Sequence, residues 1–184
     1  MPFSVLGIAG SLRTGSYNRR LLAAAIELSP PELAIAPFQR LSEIPLYDAD
    51  LEARGLPEPV AALKAAMASA DGILIATPEY NHSVPGVLKN AIDWASRPAG
   101  HAAYGGKPIG IMGATPGNGA TIRAQLALRQ ALDLDAHLMA APEVLIARAG
   151  ERFDHEGRLV DATTRRLLSR FLAAFAGWVA RFHG

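Results

Sequence analysis

The sequence predicts an α/β protein in which a doubly wound parallel sheet carries helices on both faces. Short apolar segments compatible with strands alternate about five times with segments of helical periodicity. The run at 72–76, GILIA, is apolar throughout, which is typical of a central parallel strand. Polar loops follow three of the strands. Because ligands of such sheets bind outside the carboxyl ends of the strands, we expect one site built from all three loops.

Length, charge and composition restrict the class of protein. The 184 residues are 50% hydrophobic, which predicts a single domain, residues 1–184, with a substantial core. A formal net charge of +1 gives no support to nucleic-acid binding. The absence of Cys excludes disulfides, thiolate metal sites and a Cys nucleophile, and it fits a cytoplasmic protein. We expect no signal peptide and no membrane span, because no apolar run approaches about 20 residues.

The first half of the chain alternates regularly between the two kinds of element. We predict strands at 3–9, 33–38 and 72–76 and helices at 19–28 and 58–70. The first helix is expected to stop before Pro30, because proline cannot continue it. Residues 44–50 are rich in turn formers and are predicted to be a long irregular connection.

The second half continues the alternation with a weaker last strand. Helices are predicted from about 85 to 96, from 120 to 132 and from 163 to 181. The segment 107–112 is predicted to begin the fourth strand, and 136–144 is predicted to form the fifth. Residues 151–157 are predicted to be loop. The last helix carries a stripe of Leu, Phe and Trp, which favours packing against the sheet.

The loop at 10–18, GSLRTGSYN, lies between the first strand and the first helix. Hydroxyls of Ser11 and Ser16, the Arg13 guanidinium and the Asn18 amide suit a phosphate monoester at a helix N-terminus. The loop matches neither the Walker A sequence nor the dinucleotide fingerprint. The structural alternative is that Ser16 only caps the helix while Arg13 is solvated.

Two further loops follow buried strands. The loop at 77–83, TPEYNHS, is typical of one that binds a planar ligand with polar edges, and the alternative is an ordinary turn with Glu79 solvated and Tyr80 packed. His82 has no partner at metal-ligand spacing, so a surface or packing role is favoured. The loop at 113–119, GATPGNG, is either part of the site or only a turn that starts a helix.

Two motifs, GSLRTGSYNRRL and TPEYNHSVPGVLKNAIDWASRP, closely resemble the NADPH-dependent FMN reductase family, which includes bacterial quinone and chromate reductases. The resemblance is strong over residues 3–97, continues to Gln130 and is generic afterwards. It implies a flavodoxin-like three-layer sandwich with a five-stranded sheet of order 2-1-3-4-5 and noncovalently bound FMN. It also implies a homodimer or homotetramer whose active sites lie near the subunit contacts.

The resemblance also assigns cofactor-binding residues by motif position. The phosphate would be held by the first loop and the isoalloxazine ring by the second, with one donor from the third. The set is Ser11, Leu12, Arg13, Ser16, Tyr17, Asn18, Pro78, Glu79, Tyr80, Asn81 and Thr115. Thr115 lies in the loop that departs most from the family pattern.

The flavin is expected to carry the chemistry, because the chain offers no Cys nucleophile and no evident Ser-His-Asp arrangement. It would take hydride from NADPH or NADH and pass two electrons to a quinone or another small acceptor. No side chain is assigned as catalytic and no metal site is predicted. Arg13, Arg97 and Arg123 are the candidates for reading a 2′-phosphate.

Two alternatives bind flavin or nucleotide without this turnover: a flavodoxin-like electron carrier and a nonenzymatic regulator. Carriers of this kind are typically strongly acidic. The near-neutral charge of this chain, its isoelectric point of about 8.2 and the presence of Arg13 favour the reductase.

Overall fold

The strands and helices of the computed structural model, which describes residues 1–133 and 135–183, alternate along the chain. The strands are β1 (Phe3–Ala9), β2 (Leu33–Pro37), β3 (Gly72–Ala76), β4 (Pro108–Ala114), β5 (His137–Leu138) and β6 (Val144–Ile146). The helices are α1 (Tyr17–Glu27), α2 (Ala49–Ala53), α3 (Glu58–Ser69), α4 (Gly86–Ala95), α5 (Ile122–Leu132) and α6 (Ala162–Ala180). Short 3-10 turns lie at Leu41–Glu43 and Ala149–Glu151.

The strands form one parallel sheet in the order β2-β1-β3-β4-β5, which confirms the predicted order. The fifth position is divided, because β5 pairs with the start of β4 and β6 pairs with its end. Pro142 lies between the two pieces and has no N–H for the ladder. The prediction of one continuous strand at 136–144 was therefore wrong.

Two apolar layers cover the sheet, which makes the three-layer sandwich. Alternate residues of the central strands face opposite sides: Leu74 packs with α1 and α6, whereas Ile73 and Ile75 pack with α3, α4 and the end of α5. Trp94 of α4 is fully buried and donates its indole N–H to the Pro45 carbonyl at 2.8 Å. Among the described residues, no helix is long and apolar enough to cross a bilayer.

Two other predicted boundaries need correction. Residues 44–50 are not wholly irregular, because Asp48 accepts the Asp50 N–H at 2.8 Å and so caps α2. Strand β4 does not end at Met112 but continues through Gly113 and Ala114, where it pairs with β6. These two residues, predicted to open the third loop, therefore belong to the sheet.

The neighbouring strands β1, β3 and β4 bring the three predicted loops to one edge. The Gly10 N–H donates to the Ala76 carbonyl at 2.8 Å, and the Thr77 N–H donates to the Met112 carbonyl at 2.9 Å. The start of each of these two loops is thus hydrogen-bonded to the end of the strand that lies beside it in the sheet. This arrangement is what allows residues far apart in sequence to line one site.

Candidate functional site

A cavity of about 350 Å³ lies where the three loops meet. Its size falls within the range of small-molecule sites. The cavity is lined by Ser11, Arg13, Ser16, Tyr17, Asn18, Pro78, Glu79, Tyr80, Ala114, Thr115 and Pro116. Nine of the eleven residues assigned from the sequence are in this set. Leu12 and Asn81 are not.

The first loop is held by its own hydroxyl groups. The Ser16 Oγ accepts the N–H groups of Asn18 at 3.2 Å and Arg19 at 3.4 Å, so Ser16 does cap α1. Because Ser16 Oγ only accepts in these bonds, its hydroxyl proton is free to be donated to an anion that enters the cavity. Ser11 is also buried, and its Oγ accepts the Arg13 N–H at 3.4 Å. Capping and anion binding are therefore compatible at this loop.

Arg13 and Tyr17 form the charged and aromatic side of the first loop. The Arg13 Nη2 donates to the Gly15 carbonyl at 3.0 Å, which curls the side chain over its own loop. Its guanidinium carbon lies 6.0 Å from the centre of the Tyr17 ring. Tyr17 in turn packs against Phe153, with ring centres 5.8 Å apart. The guanidinium is thus exposed but oriented by neighbours.

Asn18 joins the first loop to the third. Its side-chain amide donates to the Ala114 carbonyl at 2.8 Å, and its Oδ1 accepts the Ala114 N–H at 2.9 Å. The side chain is buried, so both backbone groups of Ala114 depend on it. One N–H of the Asn18 amide is therefore used at the end of β4, and the second remains for donation toward the cavity that Asn18 lines.

The second loop ends in a tight hairpin. Tyr80 and Ser83 exchange both backbone hydrogen bonds, at 3.1 and 3.0 Å. Asn81 and His82 between them have φ of 49° and 64°, as the central residues of a type I′ turn require. Tyr80 is 48% exposed, and its hydroxyl lies 3.2 Å from the Ser11 Oγ. That contact joins the first two loops directly.

The Glu79 carboxylate is directed to the start of α5. Its Oε2 accepts the N–H groups of Arg123 at 3.0 Å and Ala124 at 3.3 Å, while Oε1 accepts the Arg123 Nη1 at 3.0 Å. Burial raises the pKa of Glu79, but these hydrogen bonds and the positive charge of Arg123 outweigh it and leave the pKa below its ordinary value. Glu79 is therefore not solvated, as the alternative of an ordinary turn would require.

The third loop is stabilised by backbone contacts to the segment after β6. The Thr115 N–H donates to the Ile146 carbonyl at 2.9 Å, and its carbonyl accepts the Ala149 N–H at 3.0 Å. Its Oγ1 accepts the Gly117 N–H at 3.3 Å. The Thr115 hydroxyl retains its proton for donation toward the cavity.

Several residues lie differently from what the sequence patterns indicated. Leu12 borders a neighbouring cavity, and Asn81 lies at the hairpin tip. Ala114 and Pro116 line the site but were not assigned, since an alanine that acts through its backbone leaves no signal in the sequence.

His82 is exposed, with its Nδ1 3.6 Å from the Glu79 Oε1. Within the described ranges, no group of three metal-ligating side chains occurs.

The chain is similar in sequence to known proteins over nearly its whole length. The family model of NADPH-dependent FMN reductases matches residues 3–151. An NAD(P)H-dependent FMN reductase of Pseudomonas aeruginosa is 49% identical over 98% of this chain and 97% of its own length. A 2-hydroxy-1,4-benzoquinone reductase of a Burkholderia species is 42% identical over 97% of each chain.

One of the similar solved structures shares both the fold and more than a third of the sequence. FerB, a flavoenzyme NAD(P)H:(acceptor) oxidoreductase from Paracoccus denitrificans, superimposes with a TM-score of 0.89 at 35% identity, covering 98% of each chain. The resemblance indicated by the two sequence motifs is therefore confirmed over nearly the whole chain. The chain belongs to the NADPH-dependent FMN reductase family.

Proposed function

We propose that this protein is an FMN-dependent NAD(P)H oxidoreductase that reduces quinones and similar small acceptors. The observation that carries the proposal is a single cavity with phosphate-binding chemistry at one end and a planar-ligand loop at the other. The Ser11–Tyr80 contact joins the two ends. The relatives named as FMN reductases and quinone reductases support the same activity.

The donors present fit the phosphate of FMN. Ser16 has an unused hydroxyl proton at the N-terminus of α1, and Arg13 adds a full positive charge at the same place. Ser11 contributes a second buried hydroxyl. We assign these three side chains, with the backbone of Leu12 and Tyr17, to the phosphate. Asn18 would fix the β4 end beside it through one amide N–H and would donate the other to the phosphate.

The second and third loops fit the ring of the flavin. Pro78 and Tyr80 would border the isoalloxazine, Asn81 would support the hairpin tip, and Thr115 would donate a hydroxyl. When bound, the flavin supplies a centre that accepts hydride from a reduced nicotinamide and returns two electrons to an acceptor. The residues that line the cavity would hold and orient the bound ligands around that centre.

We further propose that the chain works as a homodimer or homotetramer. Ile122 and Leu126 lie one turn apart on α5 and are 44% and 60% exposed. They flank Arg123, which contacts Glu79 in the loop at 77–83, here called the ring loop. An apolar pair of this kind supports a subunit contact close to the site. Light scattering of the purified protein measures the mass directly, and a monomer would contradict this part of the proposal.

We also propose a single domain and a cytoplasmic location. The chain would form a single domain, since α6 near one end packs with α1 near the other on the same side of the sheet. A cytoplasmic location agrees with an activity that consumes reduced nicotinamide nucleotides.

The activity is tested with purified protein loaded with FMN. We expect one FMN per chain, loss of its visible absorbance on anaerobic addition of NADPH or NADH, and recovery on addition of benzoquinone. Protein that binds no FMN, or bound FMN that neither nucleotide reduces, would contradict the proposal. Reduction by dithionite alone would instead indicate an electron carrier.

A further inference from the structure

The start of α5 lacks a cap of its own. Its N-cap residue, Thr121, makes no side-chain capping bond, and its hydroxyl instead accepts from the Gln125 amide at 3.1 Å. The N–H groups of Arg123 and Ala124 are satisfied by Glu79, which lies 44 residues earlier in the chain. The carboxylate of the ring loop thus replaces the missing cap.

The Glu79 side chain is only 11% exposed, and both of its carboxylate oxygens accept hydrogen bonds. It carries a negative charge against two positive groups, the helix N-terminus and the Arg123 guanidinium. His82 on its own loop approaches it from the solvent side. With its neighbours Pro78 and Tyr80, Glu79 forms the wall of the cavity at the proposed ring position.

We propose that Glu79 is a positioning residue that anchors the ring loop to α5, and that the Glu79–Arg123 pair sets how readily the bound flavin accepts electrons. The inference rests on the proposed function. A flavin that takes hydride gains two electrons and one proton, and therefore one negative charge. The fixed charges of Glu79 and Arg123 must change the free energy of that step in opposite directions.

The two roles predict different patterns. As an anchor, the pair acts together, so loss of either partner weakens flavin binding. As a source of charge, the two partners act against each other. Neutralising Glu79 raises the midpoint potential of the bound flavin, and neutralising Arg123 lowers it. A purely structural contact would not produce shifts of opposite sign.

The variants Glu79→Gln and Arg123→Met test this pattern. Gln keeps one oxygen for the backbone N–H groups but places an amide donor against the guanidinium, whereas Met removes the guanidinium and leaves the cap. Asp93→Asn is the matched control, because Asp93 pairs with Lys89 at 2.6 Å outside the cavity. FMN dissociation constants and midpoint potentials are measured for all three.

We expect about tenfold weaker FMN binding in Glu79→Gln and weaker binding in Arg123→Met, with potentials shifted up and down respectively. Asp93→Asn should change neither quantity. Shifts in the same direction, or no shift, would overturn the inference even when the wild type binds and reduces FMN. If Glu79→Gln does not fold, a potential of Arg123→Met that is not lowered is sufficient to overturn it.

A second cavity, of about 300 Å³, carries an independent inference. It lies between one face of α1 and the segment after β2, and it shares Ser11 with the first cavity. Its apolar lining includes Leu12 and Ile26, which are large side chains exposed at 46% and 37%. Phe38 adds an aromatic ring, and Arg19 adds a cation.

The three arginines considered from the sequence are engaged elsewhere. Arg13 belongs to the first cavity, Arg97 lies 5.3 Å over the Tyr47 ring, and Arg123 pairs with Glu79. In the part of the chain that the structure describes, no carboxylate lies within ion-pair distance of Arg19. Arg19 is thus a cation available to a phosphate beside an aromatic surface.

We infer that this second cavity receives the adenosine 2′-phosphate end of NADPH, with Arg19 as the residue that selects it. This also rests on the proposed function. The expected signature is a preference that depends on the 2′-phosphate and on Arg19 but leaves FMN binding unchanged. Arg54→Met is the matched control, since Arg54 is exposed at the end of α2 and lines neither cavity.

The test uses FMN-loaded protein and two probes, adenosine 2′,5′-bisphosphate and adenosine 5′-monophosphate. The wild type and Arg54→Met should bind the bisphosphate about tenfold more tightly, and Arg19→Met should bind the two equally. The kcat/KM ratio of NADPH to NADH should fall by a similar factor in Arg19→Met. Equal binding in the wild type, or a preference retained in Arg19→Met, would overturn the inference.

Discussion

The two ends of the cavity are stabilised in different ways. At the phosphate end, Ser16 caps α1, and most hydrogen bonds of the loop lie within a few residues, although Asn18 also links it to β4. At the ring end, the loop at 77–83 has a positive-φ hairpin at its tip and is held by Glu79 to a helix that is distant in sequence. The first end is held mainly by local contacts and by β4 through Asn18, whereas the second depends on α5.

The difference has a functional consequence. A phosphate offers the same charge and oxygens in every redox state of a flavin, so a rigid local cradle suits it. A flavin ring changes charge during turnover, and at its proposed position the Glu79–Arg123 ion pair would place fixed charges beside that change. The dependence of the ring end on α5 makes its properties separable by mutation from those of the phosphate end.

The largest effect is expected at Gly113, where β4 meets the start of the loop at 77–83 and the start of α5. A Cβ there would lie 2.1 Å from the Thr121 Oγ1 and 2.5 Å from the Thr77 carbonyl, so Gly113→Ala must displace β4, the ring loop or α5. We expect a loss of about 3 kcal/mol in the free energy of unfolding, measured with urea. Gly86→Ala is the control, because its Cβ meets nothing within 4 Å. Equal stability of the two variants would contradict the packing described.

A smaller loss is expected at the link between the phosphate loop and β4. Asn18→Ala leaves the N–H and carbonyl of Ala114 without their partners in a buried position. We expect a loss of about 2 kcal/mol in apo-protein stability, read from denaturant unfolding. Thr14→Ala, in the exposed part of the same loop, should be close to neutral. A neutral Asn18→Ala would show that the third loop is fixed without Asn18.

Ser16→Ala is expected to affect the phosphate end alone. Loss of the cap should cost about 1 kcal/mol of apo-protein stability. Loss of the hydroxyl donor should also weaken FMN binding by a larger factor than riboflavin binding, as measured by fluorescence titration. Ser16→Thr keeps the hydroxyl and should restore most of both. FMN affinity that is unaffected by Ser16→Ala would limit Ser16 to its capping role.

The smallest effect is expected at the contact between Tyr80 and Ser11, which joins the two ends of the cavity. Tyr80→Phe removes the hydroxyl that lies 3.2 Å from the Ser11 Oγ but leaves the ring and the hairpin in place. Because Tyr80 is partly exposed, we expect less than about 1 kcal/mol in stability and only a few-fold change in FMN affinity. An effect larger than that of Ser16→Ala would mean that the two ends are mechanically coupled through this contact.

Local patterns predicted most of the fold, for a physical reason. The strand at 72–76 depends on neighbouring residues and is confirmed, and the cap at Ser16, considered as an alternative, is also present. The division of the last strand was missed because the apolar run hides the effect of Pro142. The Asn18–Ala114 pair, separated by 96 residues, and the Glu79 contact to α5 were missed because spacing in sequence carries no information about such contacts.

The independence of the two ends is tested most directly by comparing FMN with riboflavin, which lacks the phosphate. Dissociation constants of both ligands are measured for the wild type, Arg13→Ala and Glu79→Ala. We expect the wild type to bind FMN about 100-fold more tightly than riboflavin, and Arg13→Ala to reduce that ratio about tenfold. Glu79→Ala should weaken both ligands by the same factor and preserve the ratio. A ratio unchanged in Arg13→Ala, or one that collapses in Glu79→Ala, would contradict the division of the site into a phosphate end and a ring end.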